Sequence, residues 1–246
     1  MSAAQLTSFR QAVTASMGVS DNRGYSAWAG IHGLPGQFCQ HGTPLFLPWH
    51  RAYLYLFEKS LQDLVDGVTL PWWDWTSADS HAEGIPTSYT AATADNPLQS
   101  GSVAISASDI EQLEESAPGV MSDGDNPTTV RDPGPPTDLP QASTIDSILD
   151  APTFADFTTR LENVHNDVHG WVGGSMSIIP IAAYDPVFWA HHAMIDRLWY
   201  LWQMRQPNVL PPAAMLNAAL APFPLTVSQT LDISQLGYEY AVAAIN

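Results

Sequence analysis

Cysteine is almost missing from this 246-residue chain: Cys39 stands alone. No internal disulfide can form, so neither an oxidising compartment nor a disulfide-stapled scaffold is implied. Lysine is equally scarce, with Lys59 the sole example, and eight basic residues face 25 acidic ones for a formal net charge of -17. Such a field repels nucleic acid and anionic lipid, and both are excluded as expected partners. Charged residues make up only 13% of the chain, so the imbalance comes from missing bases more than from an acidic tail. A salt-adapted surface and ordinary acidic solubility both fit that balance. Long apolar runs are absent too: none approaches the roughly 18 residues that a membrane span needs. The N-terminus, MSAAQLTSFRQAVTASMG, lacks a basic segment followed by an uninterrupted apolar one, so a soluble, cytoplasmic protein is expected.

What is present suffices for a core. At 26.7 kDa and 45% hydrophobic residues the chain fits one domain, residues 1–246. Helical spacing of Leu54, Phe57, Leu61 and Leu64 predicts a helix over 49–65, ending at Gly67. Phe154, Phe157, Leu161 and Val164 predict a second over 153–169, and Phe188, Ile195, Leu198 and Trp202 a third over about 185–206. With the capped N-terminal segment these make a mainly α fold, a four-helix bundle core with long irregular loops. Between 76 and 143 the sequence is rich in Ser, Thr, Ala, Asp, Gly and Pro and includes DGDNPTTVRDPGPPTDLP, which sustains neither periodicity. This excursion is expected to be irregular and to form a functional rim.

The eight histidines carry the chemistry: His32, His41, His50, His81, His165, His169, His191 and His192. In VHNDVHGW, His165 and His169 are spaced i, i+4 and leave one helix face about 5 to 6 Å apart at Cβ, which suits two imidazoles on one metal. His50 opens the first long helix, with His32 and His41 before it in a Gly/Pro-containing loop. His192 lies among large apolar residues, where an unpaired imidazole is costly. Two three-histidine sites facing each other across the bundle are the simplest arrangement. Neutral nitrogen ligands alone suit copper in both oxidation states, whereas zinc, iron or manganese more often recruit a carboxylate or thiolate. His81, in the polar excursion, is expected to be exposed.

HGTPLFLPWHRAYLYLFE, LPWWDWT, HNDVHGWVGG and DPVFWAHHAMIDRLW together resemble the tyrosinase and catechol oxidase family, the type 3 binuclear copper proteins that also include molluscan haemocyanin units. The blocks run in family order over most of the chain. The resemblance implies two copper ions with O2 as co-substrate: the first copper on His32, His41 and His50, the second on His165, His169 and His192, with His191 the alternative in the doublet. It places Arg51 and Asp196 where they orient ligand rings or brace the bundle, and the Trp72, Trp73 and Trp75 block in the core. It likens Tyr238 and Tyr240 to a tyrosine motif that ends the catalytic domain, after which no C-terminal shielding domain is expected.

The activity implied is hydroxylation of monophenols to o-diphenols and oxidation of o-diphenols to o-quinones, with phenolic small molecules as substrates. Catechol oxidase and o-aminophenol oxidase are the alternatives within the enzyme class, and a haemocyanin-like oxygen carrier outside it. By resemblance, Asn166 and Glu162 handle the proton of a docking monophenol, although Glu162 follows a shortened spacer. Gly170, Ile179, Phe188 and His191 are assigned to the substrate pocket. Cys39 alone reads as buried filler, reactive thiol or copper ligand. The resemblance to fungal and molluscan relatives adds a thioether from Cys39 to His41. The natural phenol, the oligomeric state and the need for a copper-delivery partner are left open.

Overall fold

In the computed structural model, which describes residues 1–93 and 95–241, ten helices follow one another. They are α1 (Ala3–Met17), α2 (Tyr25–His32), α3 (Phe46–Gln62), α4 (Ala78–Glu83), α5 (Thr87–Thr90), α6 (Ala107–Ser116), α7 (Ala142–Leu149), α8 (Phe154–Val172), α9 (Val187–Arg205) and α10 (Ile233–Leu236). Among the described residues there is no regular strand, only isolated bridges such as Ser102 with Thr128. No helix among them is long and apolar enough to cross a membrane.

The centre of the fold is α9, buried on every side from Val187 to Trp199. A helix that is apolar all round belongs in the middle of a core. Helices α3 and α7 pack against α9, and α8 packs against α3 and α7. The N-terminal helix α1 starts with a capping box between Ser2 and Gln5 and buries Phe9, Ala12 and Val13 against α2 and α3.

Helix α3 begins at Phe46 and ends at Gln62, so Leu64 lies beyond it and is exposed. Pro48 sits in the first turn, where its missing N–H costs nothing, and does not delay the helix. Helix α8 runs past Gly170 to Val172 and stops at Gly173, which has φ +67 and whose Cβ position lies 2.4 Å from the Asp132 carbonyl oxygen, so only glycine fits.

His32 does not lie in a loop but closes α2, making α2 rather than α1 the fourth histidine-bearing helix of the bundle. Eight residues interrupted by Gly30 give too little periodicity to read; tertiary contacts hold the helix instead. Tyr25 Oη donates to the Tyr184 carbonyl at 3.2 Å, and Gly33 lets the helix end approach residues 179–180, where Leu34 N–H donates to the Pro180 carbonyl at 2.9 Å.

The 76–143 excursion carries α4, α5 and α6 and buries Ile85, Tyr89, Leu98 and Leu139. Arg131 ties it to the start of α9: its guanidinium pairs with the buried Asp185 at 2.6 Å and donates to the carbonyls of Tyr89 and Leu98. Asp185 also accepts the Val187 N–H at 2.9 Å, so one carboxylate fixes both the helix start and the excursion. His81, on α4, is half-buried, with Nε2 donating to the Pro140 carbonyl at 3.2 Å, because the excursion folds back on itself there.

Candidate metal centre

Six histidines meet between α2, α3, α8 and α9. His32 ends α2, His41 lies in the α2–α3 loop, and His50 sits in the first turns of α3. Their ring centroids are 5.2 Å (His32–His41), 5.6 Å (His32–His50) and 5.2 Å (His41–His50) apart. His165 and His169 leave α8 one turn apart and face His192 of α9, at 4.4, 4.7 and 5.4 Å. The two trios touch: His41 is 5.4 Å from His165 and His50 4.6 Å from His192.

Hydrogen bonds fix which nitrogen faces the centre. A carbonyl oxygen can only accept, so Nδ1 carries the proton where His50 donates to Phe46 at 2.8 Å and His169 to Met176 at 2.7 Å. His165 Nδ1 is held in the same way by Asn166 Oδ1 at 3.0 Å. Nε2 of each of these rings is thereby a bare lone pair pointing inward.

His165 Nε2 and His169 Nε2 each lie 3.2 Å from His192 Nε2. One proton on His192 can satisfy only one of them. Nε2 of His50, and both ring nitrogens of His32 and His41, are buried without a hydrogen bond of normal geometry. Several converging lone pairs with too few donors form an unfavourable arrangement that a cation resolves, and all-imidazole donors suit copper.

Burial is the main reason that all six rings resist protonation; His41 and His169 are lowered to about 4, and the others lie well below the usual histidine value. Neutral imidazole is the ligand form.

His191 and Phe188 lie where the pocket assignment did not expect them. Phe188, one turn before His192 on the same face of α9, is wholly buried, with its ring 4.0 Å from that of His192 and 4.8 Å from that of His32, beneath the ligands. His191 is rotated about 100° further round the helix and stacks behind His165 at 5.1 Å. Neither lines the cavity. Gly170 and Ile179 do, together with His32, His41, His165 and His169, in a space of roughly 750 Å³.

Gly42, Thr43, Pro44, Ser177 and Pro212 also line this space; no described residue of the 76–143 excursion does, so the expected rim is a buttress instead. The excursion was drawn instead onto the start of α9 by Arg131. Glu162 also lines the cavity, and its Oε1 accepts the Gly42 N–H at 2.6 Å, across from α8 to the loop that carries His41. Burial pushes the Glu162 carboxyl upward.

Arg51 and Asp196 touch none of the ligand rings. They form a buried pair at 2.6 Å joining α3 to α9, each next to or one turn from a ligand. Arg51 also donates to Gln203 and to the Thr230 carbonyl and lies 3.6 Å over the Trp199 ring. Asp196 Oδ2 accepts hydroxyls from Tyr238 at 2.7 Å and Tyr240 at 2.8 Å. Trp73 and Trp75 are buried, and Trp72 packs at the edge of the core.

Sequence reasoning missed Phe46, whose ring packs 4.8 to 5.8 Å from His50, His165 and His41. The Phe46 and Met176 carbonyls were also missed, and as backbone groups they leave no signal in residue type. Cys39 is free and half-buried, its sulfur within 4.8 Å of ring nitrogens of His32 and His41.

The family described as "Common central domain of tyrosinase" matches residues 22–205, a span that holds all six converging histidines. A tyrosinase of Streptomyces lincolnensis is 34% identical over 203 residues, covering 72% of this chain and 70% of the relative. The G-type hemocyanin of Enteroctopus dofleini, units Oda to Odg, is 31% identical over 226 residues, 80% of this chain but 7% of that much longer protein. A functional unit of octopus hemocyanin superposes with a TM-score of 0.81 at 26% identity, covering 98% of this chain and 65% of the other. With the family's span enclosing a centre built from neutral, inward-facing imidazoles, the chain belongs to the tyrosinase family of type 3 copper proteins.

Proposed function

We propose that the chain is a tyrosinase-like polyphenol oxidase that hydroxylates monophenols and oxidises o-diphenols to o-quinones. Two o-diphenols and one O2 give two o-quinones and two waters; one monophenol and one O2 give one o-quinone and one water. The observation that carries this reading is the open cavity: a space of roughly 750 Å³ reaches His32, His41, His165 and His169 directly, which is room for a phenolic ring beside the histidines. A side chain at Gly170 would meet nothing within 4 Å, so the approach is wide as well as deep.

His32, His41 and His50 would hold one copper ion and His165, His169 and His192 the other. The pair supplies O2 activation and two-electron chemistry. The protein orients the ligands through Phe46, Met176 and Asn166, and receives the ring against Met176 and Ile179. Glu162 commits Oε1 to the Gly42 N–H, and its Oε2 takes the hydroxyl proton of a docking monophenol. Burial moves that carboxyl toward the pH at which a base works best.

In the same reading, Cys39 Sγ bonds covalently to the His41 ring during copper loading, with O2 as the oxidant that removes two hydrogens. Intact mass lower by two hydrogens, with no free thiol at Cys39 in a peptide map, tests this.

Steady-state oxidation of a catechol and a monophenol by copper-loaded protein, primed with a trace of diphenol, tests the activity. In Glu162→Gln the monophenol rate is expected to fall more than the catechol rate; an unchanged ratio removes Glu162 from proton transfer. An oxygen carrier is the second reading, favoured by the TM-score of 0.81 to the octopus hemocyanin unit. Reversible oxygenation without oxidation of any phenol would decide for it.

A further inference from the structure

The wall of the cavity is unusual in its charge. Apart from the histidines that would hold copper, its polar members are uncharged Thr, Ser and Asn side chains, with Glu162 the exception. Neither lysine nor any arginine lines it among the described residues. Bases close in sequence or in the core are committed elsewhere. Arg160, one residue from the wall at Thr159, pairs with Asp156 and donates to Ser147. Arg51 and Arg131 are locked to Asp196 and Asp185, and Arg205 to Asp146 and Asp150.

Away from the histidines that would hold copper, a carboxylate tail would therefore leave water for a wall with no basic side chain to receive it. It would find only neutral donors, without the ion pair that a lysine or arginine would add. It would also meet, through space, the negative potential of Glu162, which the Gly42 N–H holds in place. Outside the mouth, the net charge of -17 acts in the same direction, raising the local concentration of cations and lowering that of anions.

We propose that this cavity selects phenols and catechols with a cationic, ammonium-bearing side chain over those with a carboxylate, Glu162 setting the sign of the potential inside. The inference rests on the polyphenol oxidase reading for its reaction but not for its binding order. The wall supplies the ring contacts through Pro44, Met176, Ile179 and Pro212, and Glu162, which faces the hydroxyl end in the reaction, discriminates the tail through its potential rather than by contact.

The test compares 2-(4-hydroxyphenyl)ethylamine, 4-ethylphenol and 3-(4-hydroxyphenyl)propionate, and their catechol counterparts, on the copper-loaded full chain at low and high salt. The ammonium compounds should exceed the carboxylates in kcat/KM by about tenfold at low salt, the size of one partly screened charge interaction, with the difference in KM. Raising the salt screens the long-range part, and what persists belongs to the wall.

Glu162→Gln should bring the ammonium-to-carboxylate ratio to about twofold or less, whatever the loss in absolute rates, since the ratio within one variant cancels a common defect. Gly170→Lys, placed where there is open space, should raise carboxylate turnover and invert the order. Calorimetric binding of the non-oxidisable 2-phenylethylammonium and 3-phenylpropionate, with and without copper, gives an independent readout. If no phenol is oxidised but the ammonium probe binds tighter, the activity reading fails and the charge selection stands. A carboxylate bound or turned over as well as its ammonium partner, or a ratio unmoved by Glu162→Gln, overturns the selection.

Discussion

The two histidine trios of the centre are assembled by different means. His165, His169 and His192 come from two long packed helices, and two of them have an Nδ1 partner. His32, His41 and His50 come from a helix end, a loop and a helix start, and only His50 has such a partner. The second half is set by backbone periodicity, the first by tertiary contacts: the close approach at Gly33, the Glu162 bridge to Gly42, and Cys39 beside His41. Rigidity in the first half is therefore borrowed, much of it from α8, which belongs to the second.

The severest break in this contrast is His192→Ala. The ring lies 3.2 Å from two other ligand nitrogens and also faces His50, so its loss should disturb both halves. Copper content by mass spectrometry should fall from two ions to one or fewer, and catechol oxidation by about a thousandfold or more, since removing a ligand takes away the reacting ion. His191→Ala should keep both ions; the opposite result would exchange the two assignments.

Next in size, Arg51→Met leaves Asp196 as a buried carboxylate without its cation, at a cost of about 3 to 5 kcal/mol in urea unfolding. Both halves should then lose copper affinity together, because the pair ties α3 to α9. A stability loss with unaltered loading would show that the brace serves the fold alone.

Asn166→Leu attacks only the second half by leaving His165 Nδ1 without an acceptor, and copper affinity should drop about 10- to 100-fold. Cys39→Ser is its counterpart in the first half. The thioether reading predicts partial loading of one ion there, measured as metal stoichiometry, with the second ion kept. Equal losses from both sites in either variant would erase the distinction between the halves.

The smallest effect belongs to Gly170→Ala. The site lies in the last turn of α8 with open space around it, so stability should rise by about 0.5 kcal/mol in thermal or urea unfolding.

The same contrast explains what the sequence made legible. The HxxxH pair and the DPVFWAHH block announced the second half because helical spacing carries the geometry. The excursion's role was misread because polarity suggested a rim, whereas Arg131 and Asp185 draw it onto α9. Helix α2 was invisible because eight residues around a glycine show no stripe, and its place depends on Tyr184 and Pro180, some 150 residues away. The orienting carbonyls of Phe46 and Met176 left no trace, since every residue has one. Glu162 was picked out by the resemblance of RLENVHN to a family pattern, but its partner is a backbone N–H on another element, which only folding reveals.

Asp196 has one further consequence. It accepts from Arg51, Tyr238 and Tyr240 at once, so the last described segment of the chain is fastened to the same charge that fastens α3 to α9. Peeling that segment away strips two donors from a buried anion, which makes fraying at this end as costly as a breach of the core. The Tyr238 and Tyr240 side chains should thus stay docked until global unfolding, and a cleavage just before Tyr238 should register at the histidines on the other side of α9.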